Sequence, residues 1–265
     1  MHTNDTSQAS AQLGCSWGMY GIWQAWMVTR TWARDCGLVL AGAAIAGAMQ
    51  WAIGPSERDH GPSCLAQAVG QLERLERNSA PASVVFLGSS TFAGMDVRRV
   101  LPQALNLSAG GGTLAEFSRR LFAAHVLSDA KALVINLGFN DVLKDCKALT
   151  EADWSTGLAA LPSTPSLLLV GLQGVGPVAQ EHHCQGRLNH LLAQSNLALE
   201  AACRQRARCS FTPNPVEASS PARRGPLQAE DEIHLSPAGY ELLHQRIRSG
   251  LQTLGIPAPA ASDRL

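Results

Sequence analysis

The chain has 265 residues, enough for one sizeable α/β domain and an appendage. Its 21 basic and 21 acidic residues balance, which argues against nucleic acid or any strongly anionic partner. Only 16% of the chain is charged, and much of the resulting apolar excess is N-terminal.

Residues 1–35 form a tail containing Trp17, Trp23 and Trp26. Residues 36–53, CGLVLAGAAIAGAMQWAI, then run for 18 positions without a charge, close to the ~20 that span a bilayer. Arg30 and Arg34 precede the run, and Glu57, Arg58 and Asp59 mark a return to water. Gln50 is its only strongly polar residue and no amphipathic stripe is visible. Residues 36–55 are therefore read as a transmembrane or signal-anchor helix. The basic flank puts the tail in the cytoplasm and the bulk of the chain outside it. A buried helix of a soluble domain and a signal peptide cleaved near Ala48 are the rivals. Translation from Met27 would favour the second and leave the tail partly untranslated.

Residues 56–82 read as a juxtamembrane helix and linker, the helix being a stalk or a first packing helix of the domain. Leu65, Val69, Leu72 and Leu75 share one face, and a breaker follows at 78–82. The main domain is placed at 83–256, with a frayed tail at 257–265. Strand-like runs fall at 83–87, 104–107, 132–137, 166–172 and 208–212. Several are apolar throughout, as strands covered on both faces are. Helical patterns separate them: Leu114, Phe117 and Leu121; Leu188, Leu191, Leu192 and Leu199; Tyr240, Leu242, Leu243 and Ile247. This alternation predicts an α/β fold, a three-layer α/β/α arrangement on a five-stranded parallel sheet. Segments 173–186 and 213–226 read as loops.

Five cysteines follow the apolar segment: Cys64, Cys146, Cys184, Cys203 and Cys209. No C-x-x-C pair occurs, which argues against zinc. In an exported domain Cys146 with Cys184 is the favoured bridge, because both fall in loops on one side of the sheet. Simple burial of each is the alternative. His182-His183-Cys184 lacks a second ligand pair and reads as loop. Asp141 and Asp145 read as loop or solvated positions.

Sites in open parallel sheets lie at the carboxyl ends of the strands. There the first strand runs into Gly88-Ser89-Ser90-Thr91. The second runs into Asn106-Leu107-Ser108-Ala109-Gly110-Gly111-Gly112, and the third ends in Gly138-Phe139-Asn140-Asp141. Asp231-Glu232-Ile233-His234 precedes the last helix, so all four meet at one edge. Alone, an acid three residues before a histidine is common. With a serine after a buried strand, it supplies what acyl transfer needs: a nucleophile, a base and a group to orient that base. Glycine-turn N–H groups and an asparagine amide can stabilise an oxyanion. Each part has a plainer reading: Ser90 or Asp231 as a helix cap, Asn140 as an Asx-turn, the glycines as a phosphate cradle. The glycine spacing is not G-x-G-x-x-G.

The four blocks, in this order over about residues 84–243, resemble the SGNH/GDSL family of ester hydrolases. The resemblance implies a flavodoxin-like fold using no metal or cofactor. It makes Ser90 the nucleophile, His234 the base and Asp231 its orienting acid. The Ser90 N–H, Gly111 and Asn140 become the oxyanion hole. Two positions depart from the family pattern. Ser89 replaces the usual aspartate, as in members with a Gly-Ser-Ser block, and Ser108 replaces a glycine without removing Gly111. The implied substrate is an acyl ester, with O-acetyl groups on envelope carbohydrates preferred and short acyl or lipid esters next. An O-acetyltransferase with the same triad, or a non-catalytic carbohydrate-binding subunit, are the alternatives. The expected setting is the cell membrane, single-pass through the N-terminal helix, with the domain outside the cytoplasm.

Overall fold

The computed structural model describes residues 66, 69–70, 83–120, 125–218 and 226–257. Five strands form one sheet: β1 (Val84–Gly88), β2 (Leu105–Asn106), β3 (Ala132–Asn136), β4 (Ser166–Val170) and β5 (Cys209–Thr212). Their order is β2-β1-β3-β4-β5 and every pairing is parallel. The strands expected from the sequence therefore stand within a residue or two of their predicted bounds.

β1, β3 and β4 are buried along their whole length. Alternate side chains of a strand face opposite ways, so each strand feeds two cores. Val85, Leu87, Leu133, Ile135, Leu167 and Leu169 join the first, with Phe117, Trp154 and Leu192. Val84, Phe86, Val134, Leu168 and Val170 join the second, with Phe92, Leu243 and Ile247. An apolar run without alternation is thus the signature of the middle of three layers.

The helices are α1 (Ser90–Ala93), α2 (Leu114–Arg120), α3 (His125–Ser128), α4 (Phe139–Asp145), α5 (Glu151–Ala159), α6 (Pro177–His182), α7 (Leu188–Arg204) and α8 (Pro237–Thr253). The patterns at Leu114, Leu188 and Tyr240 belong to α2, α7 and α8. α6 is a correction, since the sequence reads 173–186 as loop throughout. Pro177 starts it with a fixed φ and no wasted donor. Leu242 is a smaller correction: the buried stripe of α8 runs through Leu243, His244, Ile247 and Leu251, and Leu242 is only partly buried.

Cys146 is bonded to Cys184, the expected pair, and Cys203 to Cys209. The first bridge ties the end of α4 to the segment after α6. Ala66, Val69 and Gly70 are helical, and Val69 packs on the first core. The tail at 1–35, the apolar segment at 36–55, the rest of the stalk and the end of the C-terminal tail lie outside the described residues. Among the described residues no helix is long and apolar enough to cross a membrane.

Candidate active site

The chain leaves β1 to one side to make β2 and to the other to make β3. That reversal opens a crevice at the carboxyl end of β1, where open α/β sheets bind ligands. Ser90 stands there as the first residue of α1. Ser89 occupies the cap position, so Ser90 is not spent as a helix cap. Its N–H, in the first turn of a helix, has no intrahelical acceptor.

Three elements pin α1. The Asn106 amide at the end of β2 donates to the Phe92 carbonyl at 2.8 Å. Gln173, just after β4, donates to Thr91 Oγ1 at 2.8 Å, and both residues are buried. The Tyr240 hydroxyl of α8 lies against Gly94, where a Cβ would come within 2.8 Å of it. Burial, with the nearby negative Asp231, pushes the Tyr240 hydroxyl up to about 12, so it stays protonated.

The turn before α8 brings in the other two polar groups. Asp231 Oδ1 accepts from the backbone N–H of Ile233 at 3.0 Å and of His234 at 2.9 Å. Its Oδ2 lies 2.5 Å from His234 Nδ1, and His234 Nε2 lies 2.9 Å from Ser90 Oγ. An ionised carboxylate only accepts, so Nδ1 carries the proton and Nε2 is left to accept from the serine hydroxyl. Burial works to raise the Asp231 carboxyl, but the side-chain and backbone hydrogen bonds from His234 and its charge outweigh it, taking the group to about 2. Asp231 does not cap α8. Ser236 does, accepting from the Gly239 N–H at 3.2 Å.

Gly111 sits on the loop after β2, and Asn140 in the first turn of α4, which follows β3. The Ala109 N–H donates to Gly88 O at 2.9 Å, which fastens the glycine turn beside the nucleophile's strand end. Gly111 is exposed with φ +74°, a conformation that a side chain disfavours. Asn140 Nδ2 donates to Gly112 O at 3.0 Å, so one of its two N–H groups holds the turn and the other remains for a ligand. Gly138 starts α4 at φ +102°, and a Cβ there would meet the Trp154 ring at 2.5 Å.

Asp141 is a correction: it is not a solvated loop residue. It is partly buried in α4 and its Oδ2 accepts from the Leu114 N–H at 3.0 Å, fastening the start of α2. Burial raises its carboxyl despite that bond. Asn106, Thr91 and Gln173 were also not singled out from the sequence. Only Asn106 carried a signal, as a polar residue ending a strand. Among the described residues no group of three His, Cys, Asp or Glu could hold a metal ion, and Cys184 of the His-His-Cys run is in a disulfide.

No family model matches the sequence, and no curated protein matches it significantly. Solved structures do. One, from Streptococcus pneumonia and described as a platelet activating factor, is 15% identical with a TM-score of 0.59, covering 79% of this chain and 99% of that one. A GDSL-like lipase from Bacteroides thetaiotaomicron is 18% identical with a TM-score of 0.54, over 70% of this chain and 97% of that one. The C-terminal catalytic domain of a Streptococcus pneumoniae peptidoglycan O-acetyltransferase is 15% identical with a TM-score of 0.50, over 67% and 97%. The fold is the one seen in these structures, a GDSL-like lipase among them.

Proposed function

We propose that the protein is a serine ester hydrolase of the SGNH/GDSL type that works through an acyl-enzyme on Ser90. The observation that carries this is the row Ser90 Oγ, His234, Asp231, with separations of 2.9 and 2.5 Å. In the first step the Ser90 oxygen attacks the ester carbonyl and its proton passes to His234 Nε2. The negative charge that develops on the carbonyl oxygen is met by the Ser90 N–H, the Gly111 N–H and the Asn140 amide. The imidazolium, held by Asp231, then returns the proton to the departing alkoxide, leaving Ser90 acylated. A water molecule then attacks the acyl carbon as its proton passes to His234, and the intermediate collapses with the Ser90 oxygen leaving and taking that proton back, which frees the acid.

The preferred substrates are O-acetyl or other short acyl esters on envelope carbohydrates. The alternative is transfer of the acyl group to a sugar hydroxyl by the same residues. A peptidoglycan O-acetyltransferase domain with this fold supports keeping that acceptor in view. The two differ in whether water reaches the acyl-enzyme. The purified domain should release acetate from an activated acetyl ester at a rate that oligosaccharide acceptors do not change. Capture of the acetyl group on a sugar in excess water would make it a transferase. No acyl release or transfer at all would leave the carbohydrate-binding reading.

We also propose that the domain lies outside the cytoplasm, tethered by residues 36–55. The two disulfides support an oxidising compartment. A reporter fused after Leu265 should then be active only outside the cytoplasm, and a cytoplasmic signal would overturn the placement.

A further inference from the structure

Glu232 lies between the acid and the base of the proposed triad and has no part in the chemistry above. It is nevertheless only 8% exposed and adopts φ +59°, a backbone conformation that a side chain disfavours. Its Oε2 accepts from the N–H of Val178 at 2.7 Å and of Ala179 at 3.3 Å, two donors that α6 leaves without intrahelical acceptors. Its carbonyl accepts from the Gly176 N–H at 2.8 Å and from Gln228 Nε2 at 3.1 Å. The same Gln228 amide reaches the Gly174 carbonyl at 3.3 Å. One residue thus ties the His234 turn to the start of α6 through both its main chain and its side chain.

Gly176 supplies the room. A Cβ on it would lie 2.6 Å from Glu232 Cβ and 2.7 Å from its Cδ and Oε2. Gly176 has φ −72°, which any residue adopts, so what an added methyl would disturb there is Glu232.

We infer that Glu232 is a positioning residue for the proposed reaction: its grip on α6 fixes where the His234 ring stands relative to Ser90. Asp231 sets the tautomer of that ring from within the turn. The turn is closed on itself by the bridge of Gln228 with Leu235 and by the Ala229 N–H, which donates to the His234 carbonyl at 2.8 Å, and Glu232 is what joins that closed unit to α6. A disfavoured backbone angle persists where surrounding bonds over-determine it, and here the bonds converge on the turn that carries the base. The inference rests on Ser90 and His234 acting as nucleophile and base.

The test compares Glu232→Gly, Glu232→Gln, Gly176→Ala and the Glu232→Gly/Gly176→Ala double variant. For each, kcat and KM on an activated ester, the rate of Ser90 phosphonylation by a fluorophosphonate, and Tm are measured. Glycine relieves the backbone angle and removes the side chain's part of the grip, leaving the carbonyl's bonds to Gly176 and Gln228. A positioning role predicts that Glu232→Gly lowers both kcat and phosphonylation rate ~10-fold or more, with KM changed by less than about threefold and the fold retained. Glutamine keeps an acceptor oxygen and should recover most of the rate. Gly176→Ala should slow the enzyme when Glu232 is present and do little once it is glycine. A Glu232→Gly enzyme with wild-type kcat and labelling rate would overturn the inference while leaving the hydrolase reading intact. So would a loss confined to KM or matched by unfolding, or a Gly176→Ala cost equal in both backgrounds. A wild-type protein that neither turns over esters nor labels at Ser90 would overturn the hydrolase reading, and the inference with it.

Discussion

Asp231 shows how much one carboxylate settles at the residue scale. One oxygen closes the turn on the backbone N–H groups of Ile233 and His234, and the other holds His234 Nδ1. Its carboxyl lies at about 2 against an ordinary 3.8, so it stays ionised across the range in which a hydrolase works. A depressed carboxylate adds stability that is fully present above its unfolded value. That stability is lost as pH falls through its folded value, here between 3.8 and about 2. Asp231→Asn should therefore flatten the dependence of stability on pH in that window, as read by denaturant melts. The same variant should fold and lose kcat on the order of 10⁴-fold, because asparagine cannot balance the imidazolium. Unchanged kcat would mean that another group orients the base. Which residue types matter was legible in the order of the blocks. The grip of Glu232 was not, since its partners lie 53 and 54 positions away and are backbone N–H groups, which every sequence has.

At the scale of elements, the strands were legible because each spans the sheet with apolar side chains on both faces. α7 and α8 were legible because a 17-residue helix shows its stripe several times over. α5 was not, having only Trp154, Gly157 and Leu158 buried. Its real signal was the capping box, in which Thr150 and Asp153 satisfy each other's backbone N–H groups at 3.2 and 2.8 Å. α4 was hidden behind the functional reading of Asn140. The Cys146–Cys184 bridge joins the end of α4, which carries Asn140, to the 3-10 turn after α6, which Glu232 holds at its other end. Closing a loop over a separation of 38 residues is worth about 2–4 kcal/mol. Cys146→Ser should lower stability by about that amount in denaturant melts. It should also reduce kcat more than KM, because both sides of the site lose a common support. An unchanged melt would show that packing alone holds the two segments.

For the molecule as a whole, the strand order 2-1-3-4-5 explains why residues 141 positions apart in the chain, Ser90 and Asp231, belong to one row. The crevice opens where the chain reverses direction about β1. The start of α1, the loop after β2, the start of α4 and the turn before α8 bring to that edge the serine, the glycine turn, the asparagine and the acid–base pair. Convergence on one edge was legible from strand order and chain direction alone. The contacts that hold it were not. Thr91 with Gln173 and Leu114 with Asp141 are long-range pairs of polar groups, and no local pattern announces them. The central claim is that Ser90 becomes acylated with His234 as its base. Mass spectrometry of the protein quenched in acid during turnover of an activated acetyl ester tests it most directly. One acetyl group should appear on the peptide that contains Ser90, and it should vanish in Ser90→Ala and fail to accumulate in His234→Ala. Turnover at the wild-type rate by Ser90→Ala, or an acetyl group carried on any other residue, would contradict it.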